Sequence, residues 1–229
     1  MRESDGMNYS IGNIKHDVRV IIGENENILP FLSVEAGDPE DASNVANERD
    51  ILIESHILTA IDNVHSVAPR EMLHDIVEVI HLHADFDTFG GFSKIDLPND
   101  FMRFIKMTDD GWDIPVAETT AIESDEYKQL HSRFEGIRAS KERPAVAIYN
   151  DGYKLRAEAY PTLTDPTLQY VSKARIDNEG NIRIAFLCYK AVLYLIASHY
   201  YISIKEYDAA GMMEKQCRAL LGLSDNENK

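Results

Sequence analysis

The chain has 229 residues, a hydrophobic content of 44% and a formal net charge of −16, because 39 acidic residues outnumber 23 basic ones. This length and composition suffice for one large folded domain or two small ones, and the negative charge excludes general attraction to nucleic acid phosphates. Cys188 and Cys217 both lie in apolar helical patterns. This placement favours buried thiols in a reducing compartment over a disulfide framework.

Residues 1–44 are polar and show little periodicity beyond short apolar runs such as VRVIIG and ILPFLSV. We predict an irregular N-terminal arm here. The first ten residues, MRESDGMNYS, lack the charged and then apolar pattern of a signal peptide, so we expect no export by that route.

Residues 45–77 are predicted to form an N-terminal helical part. Asn47 suits the N-cap position, with Asp50 three residues on, and the helix is expected to end before Pro69. The apolar residues that recur at helical spacing are Ile51, Ile57, Leu58, Ile61 and Val64.

Residues 78–177 are predicted to form a β-rich insert. Ile80, Leu82, Ala84 and Phe86 alternate with polar residues, which indicates a strand. The runs FMRFIKM and IPVAETTAI flank the turn TDDGW, and Ser124 is expected to cap a short helix. The runs AVAIY and YKLRAEAY, joined by Asn-Asp-Gly, predict a hairpin, because such a turn needs residues that tolerate left-handed dihedrals.

Residues 178–222 are predicted to form a C-terminal helix pair, followed by a polar tail at 223–229. The first helix has one apolar stripe formed by Ile182, Phe186, Tyr189, Leu193, Ile196 and Tyr200, and another formed by Ile184, Leu187, Ala191 and Leu195. The second helix places Tyr207, Ala210, Met213, Cys217 and Leu220 on one face and is expected to end at Gly222.

Residues 185–204 are long enough and apolar enough to be compared with a membrane span. Lys190 and His199 lie within them, however, and a lysine in the middle of a span is costly in lipid. We therefore predict a buried core helix and no membrane contact. The expected fold class is α+β, with the N-terminal helix and the C-terminal helix pair forming a helical bundle into which the β-rich block is inserted.

The run HLHADFD contains His81, His83 and Asp85, whose side chains are of the types that hydrolytic zinc sites use. It resembles the opening of the ligand run of metallo-β-lactamase-like hydrolases, which continues with a histidine where this chain has Phe86. The later histidines lie in helical patterns, so the ligand set is incomplete. We predict no metal site, and a metal-dependent hydrolase that uses this run remains the first alternative function.

Other catalytic signatures are missing from the sequence. It has no Gly-x-Ser-x-Gly turn, and the TFGGF run lacks the lysine and the following helix of a phosphate-binding loop. Carboxylate pairs such as Asp109 and Asp110 are expected in a chain this acidic and are usually solvated. We predict no catalytic residues, no cofactor and no enzyme activity.

Residues 198–217, SHYYISIKEYDAAGMMEKQC, contain three tyrosines and two methionines beside a helix that is already predicted to be buried. Tyrosine and methionine are enriched at protein interfaces. This segment therefore indicates subunit contacts.

Three segments together suggest a family. They are IDLPNDFMRFIKM with GWDIPV, then YKQLHSRFEGIRASKERPAVAI, and finally YKAVLYLIASHYYISIKEYDAAGMMEKQC. In their order and spacing, between about residues 47 and 222, they resemble the head-tail connector (portal adaptor) ring proteins of tailed bacteriophages, particularly those of crAss-like phages.

The resemblance implies a structural virion protein without enzyme activity, assembled in the host cytoplasm. It implies a homododecameric ring that docks under the portal protein, extends the DNA channel and seats the next connector ring or tail protein. Genomic DNA would pass through the ring without specific binding, which suits an acidic chain. An accessory virion interaction module outside the channel is the second alternative.

Overall fold

The computed structural model describes residues 7–26, 39–82, 86–89, 91–130, 132, 134 and 137–223. The predicted α+β class is confirmed, since helices dominate both ends of the described chain and sheets dominate its middle. The α-helices described are α1 (Ile11–Glu26), α2 (Pro39–Val67), α3 (Asp125–Leu130), α4 (Tyr189–Ser203) and α5 (Tyr207–Leu220). The strands described are β1 (Asn8–Ser10), β2 (Val77–His81), β3 (Phe86–Phe89), β4 (Phe92–Asp96), β5 (Phe101–Asp109), β6 (Thr119–Ala121), β7 (Ala145–Asn150), β8 (Leu155–Tyr160), β9 (Pro166–Ser172) and β10 (Asn181–Arg183).

The chain divides into two compact units. The helical unit comprises the described residues of Met1–Ile76 and Ala174–Lys229, and it contains α1, α2, α4 and α5. The sheet unit comprises the described residues of Val77–Lys173 and is continuous in sequence. The two parts of the helical unit therefore flank the sheet unit along the chain.

The core of the helical unit forms around α4, which contacts α1, α2 and α5. Apolar residues spaced by three or four positions lie on one face of a helix, so each helix can turn one stripe inwards. Burying each large aliphatic side chain contributes roughly 1.5–3 kcal/mol. The fully buried isoleucines of these helices are Ile14, Ile22, Ile53, Ile57, Ile61 and Ile196.

The N-terminal segment is a correction to the sequence prediction. The prediction of an irregular arm at residues 1–44 was wrong for residues 8–26, which form β1 and the sixteen-residue helix α1. It was also wrong for residues 39–44, because α2 begins at Pro39, so Asn47 lies within that helix and is not its N-cap. Ile14, Val18 and Ile22 are fully buried at a spacing of four residues. This narrow stripe is easily missed because Gly and Asn, both weak helix formers, are frequent around it. Tertiary packing, rather than propensity, stabilises α1.

Two ion pairs connect α1 to α2. Lys15 Nζ donates to Glu54 Oε2 at 2.9 Å, and the guanidinium of Arg19 forms a bidentate pair with the carboxylate of Asp50. As residue numbers rise along α1 they fall along α2, so the two helices run antiparallel. The C-terminal end of α1 therefore lies towards the start of α2.

The start of the C-terminal helix pair is a second correction. Ile182 lies in β10, where it pairs with Tyr9 of β1, and α4 begins only at Tyr189. Phe186 and Leu187, which the prediction placed on buried stripes, are exposed on a 3₁₀ turn. The apolar spacing before residue 189 was read as helical because the pairing strand is distant in sequence.

The remainder of the C-terminal prediction is largely confirmed. Eight of the fifteen residues of α4 are buried. The predicted face of α5 buries Ala210, Met213 and Cys217, whereas Tyr207 and Leu220 are exposed. The segment 185–204 was compared with a membrane span above, and none of the helices in the described part of the chain is sufficiently long and apolar to cross a membrane.

The sheet unit contains two sheets. One has the order β2-β9-β5 and is antiparallel, and the other has the order β3-β4-β8-β7-β6, in which only the β6–β7 pair is parallel. Its buried core contains residues from both sheets and their connecting loops: Leu82, Ile95, Leu97, Phe101, Phe104, Met107, Trp112, Val116, Val146, Ala157, Ala159, Leu163, Leu168 and Tyr170.

The predicted hairpin is confirmed as β7 and β8, which pair from Ala145–Tyr160 to Asn150–Leu155. In the turn, Gly152 has a φ of +93°, which glycine adopts readily. The carboxylate of Asp151 accepts hydrogen bonds from the backbone N–H groups of the two residues that follow this glycine. These local interactions define the turn between β7 and β8.

Candidate subunit-contact site

An apolar groove lies in the helical unit, between the C-terminal end of α2 and the facing sides of α4 and α5. Its volume is about 300 Å³. The apolar residues that line it are Val64, Val67, Leu195, Ile202, Cys217, Leu221 and Leu223. Polar side chains, including those of Asn63 and Arg218, stand among them. We refer to this feature as the α2–α4–α5 groove.

The end of α5 determines one edge of the groove. Gly222 has a φ of +70°, so the chain turns sharply there, as the sequence predicted. Gly222 N–H donates to the Ala219 carbonyl at 3.1 Å, and Leu223 N–H donates to the Arg218 carbonyl at 3.0 Å. This pair of bonds is a Schellman motif, which terminates a helix and reverses the chain. It brings Leu221 and Leu223 back to the groove.

Two residues that line the groove, Val67 and Ile202, leave about half of their side-chain surface exposed. Val67 is 53% exposed and Ile202 is 47% exposed. Single exposed apolar residues are ordinary, whereas two on one concave surface make that surface a candidate contact site.

A histidine pair lies beside the groove. The rings of His56 and His199 meet edge to face with their centroids 5.5 Å apart, and His56 Nε2 lies 2.9 Å from Ser203 Oγ. Burial lowers the pKa of both imidazoles, and for His199 the neighbouring His56 lowers it further while Glu214 acts in the opposite direction. The lowered pKa favours the neutral form of both rings, which suits an apolar contact surface.

A second apolar surface lies elsewhere on α2. It has a volume of about 460 Å³ and is lined by Ile51, Glu54, Ser55, Leu58 and Ile176. Ile51 is 67% exposed and Ile176 is 46% exposed. We refer to this feature as the Ile51 surface.

The groove and the Ile51 surface lie on opposite faces of α2. An α-helix completes one turn every 3.6 residues. Ile51 and Leu58 therefore share a face, while Val67 lies about half a turn around the helix axis from them. The helical unit thus presents two separate apolar surfaces that point in different directions.

The metal hypothesis can be examined only at His81, because His83 and Asp85 lie outside the described residues. β2 ends at His81, whose Nδ1 is 3.0 Å from the hydroxyl of Thr167 on the neighbouring strand β9. Among the residues that the structure describes, no group of three His, Cys, Asp or Glu side chains is arranged to hold a metal ion.

Both cysteines are buried and free, as the sequence predicted. Cys217 lines the α2–α4–α5 groove, and burial raises the pKa of its thiol to about 11. A thiol that holds its proton so firmly is a weak nucleophile. Its contribution here is that of a small apolar side chain.

Sequence analysis missed a buried polar cluster in the sheet unit. Glu158 is 6% exposed, and its Oε2 accepts hydrogen bonds of 2.7 Å from the hydroxyls of Tyr127 and Tyr160, while Lys94 Nζ is 3.6 Å from Oε1. Burial and the hydrogen bond to Glu158 raise the pKa of both phenols. In the run YKLRAEAY, Glu158 alternates in step with the charged Lys154 and Arg156, and the contact with Tyr127 of α3 sets it apart from them.

Asp109 has a similar structural role. It is buried, and its carboxylate accepts backbone hydrogen bonds from Gly111, Thr164 and Asp165. These bonds hold two loops of the sheet unit together. Asp110, which the sequence paired with it, is exposed. The geometry therefore assigns the two carboxylates different roles, and that of Asp109 is to brace the loops.

The short helix α3 begins as predicted. Tyr127 N–H donates to Ser124 Oγ at 3.0 Å, which is the hydrogen bond of an N-cap residue. This cap fixes the start of the helix that presents the Tyr127 hydroxyl to Glu158. The Ser124 cap, which was predicted from the sequence, thus positions the Tyr127–Glu158 contact, which was not predicted.

Comparison with known proteins gives no further assignment. No protein-family model matches the chain, and neither does any curated protein sequence.

Proposed function

We propose that this chain is a structural virion protein that forms a homo-oligomeric ring in the head-tail connector of a tailed phage. In this proposal the ring docks under the portal protein, extends the DNA channel towards the tail and is a homododecamer. The observation that supports it most directly is the pair of separate apolar surfaces on opposite faces of α2.

A closed ring of identical subunits needs two different contact surfaces on each subunit. In a head-to-tail contact, one surface of a subunit meets the other surface of the next, and rotation closes the ring. A two-fold dimer needs only one self-complementary surface. The α2–α4–α5 groove and the Ile51 surface face different directions, as head-to-tail contacts require.

The charge of the chain is compatible with a DNA conduit. The formal net charge of −16 gives a ring of these subunits a strongly negative field. Basic surfaces hold DNA by releasing the counterions of its phosphates, whereas an acidic lumen leaves the genome free to move.

Native mass spectrometry and negative-stain microscopy of the purified chain, alone and with portal protein, test the proposal. We expect rings whose mass is a multiple of the 25.9 kDa subunit. A chain that remains monomeric at high concentration and in the presence of portal protein contradicts the ring.

A pair of variants tests the head-to-tail geometry. Val67→Asp places a charge in the groove, and Ile51→Asp places one on the opposite surface. Each variant alone should be monomeric, because a charge buried in an apolar contact is costly. Mixed together, they should form a heterodimer that grows no further, since only one intact groove and one intact Ile51 surface remain.

Val20→Asp is the matched control, because Val20 lies on α1, is exposed to a similar extent (47%) and is not among the residues that line either surface. It should assemble like the wild type. Stable dimers of either contact variant by itself would indicate two-fold contacts and contradict the head-to-tail arrangement.

A further inference from the structure

We propose that a pocket of the sheet unit, lined by Arg138 and Lys141, binds a side-chain carboxylate of an acidic protein segment. The inference goes beyond the proposed function and does not depend on it. The pocket belongs to the sheet unit, whereas the groove and the Ile51 surface belong to the helical unit. The sheet unit thereby gains a binding role of its own.

The pocket lies where three loops of the sheet unit meet, namely the turn after β5, the loop before β7 and the loop after β8. Its volume is about 350 Å³, which is at the small end of the range of ligand pockets and suits a single inserted side chain. The polar and charged residues that line it are Arg138, Ser140, Lys141, Glu142, Thr162 and Thr164. We refer to this feature as the Arg138–Lys141 pocket.

The two cations of the pocket are available to a ligand. Arg138 and Lys141 are exposed, and among the described residues neither side chain has an ion-pair or hydrogen-bond partner. By contrast, Lys128 and Lys154 of the same unit are paired with carboxylates of the chain itself. A guanidinium and an ammonium group that line one pocket together present several N–H donors to an anion.

The carboxylate among the lining residues, Glu142, is engaged by its own loop. Its Oε2 accepts a hydrogen bond from Ser140 Oγ at 2.7 Å. That bond, a backbone hydrogen bond and the charges of Arg143 and Lys141 lower the pKa of Glu142.

The charge of the pocket suits a carboxylate. Arg138 and Lys141 contribute +2 and Glu142 contributes −1, so the lining residues carry a net charge of +1 on a chain whose net charge is −16. A carboxylate carries one negative charge, whereas a phosphate monoester carries about −1.5 to −2 at pH 7. The pocket therefore balances a carboxylate and leaves a phosphate in excess.

Hydrogen bonds hold the walls of the pocket in place. Asp113 N–H donates to the Lys141 carbonyl at 2.9 Å, which fixes the loop before β7 to the turn after β5. Thr164 N–H donates to the buried carboxylate of Asp109 at 2.7 Å, which fixes the loop after β8 to the same turn. Because its walls are already connected, the pocket can bind a ligand with little further loss of conformational entropy.

The surroundings of the pocket favour a protein partner over nucleic acid. Ile137, next to Arg138 in the chain, is 48% exposed, and Ile114, next to Asp113, is 50% exposed. Apolar side chains beside a charged group are a feature of protein interfaces. Asp113 is exposed as well, and the negative charge of the chain repels a continuous run of phosphates. A single acidic side chain can enter the pocket without such a run.

Isothermal titration calorimetry of the full chain with a capped oligo-aspartate peptide tests the proposal. We expect the peptide to bind and its affinity to fall as the salt concentration rises, because dissolved ions screen exposed charges. Arg138→Gln combined with Lys141→Gln should weaken binding about tenfold, as expected for the loss of two partly exposed ion pairs. Absence of binding to the wild-type chain overturns the inference.

Lys128→Gln combined with Lys154→Gln is the matched control. This double variant removes the same charge from the same unit, at exposed positions that are already paired within the chain. It should change the affinity by less than about twofold, because neither residue lines the pocket. Equal weakening in the two double variants would show a general electrostatic attraction and would overturn the site. Far-UV circular dichroism checks that both double variants remain folded.

Two further titrations identify the class of ligand. Inorganic phosphate and a single-stranded DNA oligonucleotide with the same net charge as the peptide should each bind more weakly than the peptide. Tighter binding of phosphate overturns the choice of a carboxylate, and tighter binding of DNA overturns the choice of a protein partner.

Zero-length carbodiimide cross-linking locates the bound peptide, since this reagent joins a lysine amine to a carboxylate in contact with it. We expect the peptide to be joined to Lys141, and cross-links confined to other lysines overturn the site. A chain that forms rings but does not bind the peptide overturns this inference and leaves the proposed function in place.

Discussion

The helical unit and the sheet unit differ in the features that distinguish them: among the described residues, the buried carboxylates Asp109 and Glu158 lie in the sheet unit, and the two apolar surfaces described above lie in the helical unit. In the sheet unit, carboxylates such as Glu158 and Asp109 are enclosed, and hydrogen bonds from neighbouring strands and loops satisfy them. In the helical unit, apolar side chains such as Ile51 and Val67 are left at the surface. Enclosed and satisfied polar groups hold loops in place, whereas uncovered apolar groups are available to a partner. The subunit contacts that we propose lie in the helical unit.

The largest expected effect on stability concerns α1, because the packing of α1 against α4 and α2 makes the N-terminal region part of the helical unit. Ile14→Ala should lower the free energy of unfolding by about 4 kcal/mol, because Ile14 is fully buried and its truncation leaves a cavity. Denaturant titration followed by circular dichroism measures the change. Val20→Ala, at an exposed position of the same helix, should change it by less than about 0.5 kcal/mol. Equal, small changes in the two variants would show that residues 11–26 do not pack into the core, as the predicted irregular arm requires.

The next effect tests whether the sheet unit depends on its enclosed carboxylate. Glu158→Ala should cost about 3 kcal/mol, because it removes the carboxylate that accepts hydrogen bonds from the buried Tyr160 and the partly buried Tyr127. Asp96→Ala is the matched control in the same sheet. Asp96 pairs with Lys154 and Arg156 in an exposed position, so its loss should cost less than about 1 kcal/mol. Equal costs for the two variants would contradict the role of burial.

A smaller effect follows from an imidazole in the core of the helical unit. His65 is buried, its Nε2 accepts the Ala185 N–H at 3.3 Å, and burial lowers its pKa from 6.5 to about 4, although the charge of Asp75 acts in the opposite direction. The folded state therefore keeps His65 neutral while the unfolded state binds a proton. Stability is present above pH 6.5 and falls as the pH drops towards 4.

Between pH 7 and pH 5 the titration of His65 should cost about 2 kcal/mol of stability. His65→Gln removes that titration, so the difference in stability between the wild type and the variant should narrow as the pH falls over this range. Denaturant titrations at several pH values measure it. A difference that is independent of pH would show that His65 titrates alike in the folded and unfolded chains.

The smallest expected effect concerns His81, His83 and Asp85. If the sheet unit is a scaffold rather than a chemical site, purified protein should contain no stoichiometric zinc, and treatment with a chelator should leave the melting temperature unchanged. Elemental analysis and thermal denaturation provide the two measurements. Bound metal that is lost in His83→Ala would show that the sheet unit holds a metal site, and it would favour the hydrolase alternative.

Local signals in the sequence were reliable where a structure is determined by a few neighbouring residues. The Asn-Asp-Gly turn, the Ser124 cap and the end of α5 at Gly222 were all predicted correctly. In each, the deciding hydrogen bonds connect residues within a few positions of one another. The burial of Cys217 was predicted for a similar reason, because helical spacing is visible within one segment.

What only the tertiary structure decided involves partners that are far apart in the chain. Ile182 is in a strand because Tyr9 pairs with it, α1 is stable because α4 and α2 receive its narrow stripe, and Glu158 is enclosed because Tyr127 of α3 contacts it. The groove itself exists only because α2, α4 and α5 meet. The sequence by itself determined the class of fold and the features set by neighbouring residues, namely the β7–β8 turn, the cap of α3 and the end of α5. The pairing of distant elements determined which surfaces were covered and which were left for a partner, since burial is a property of the packed chain and not of any segment.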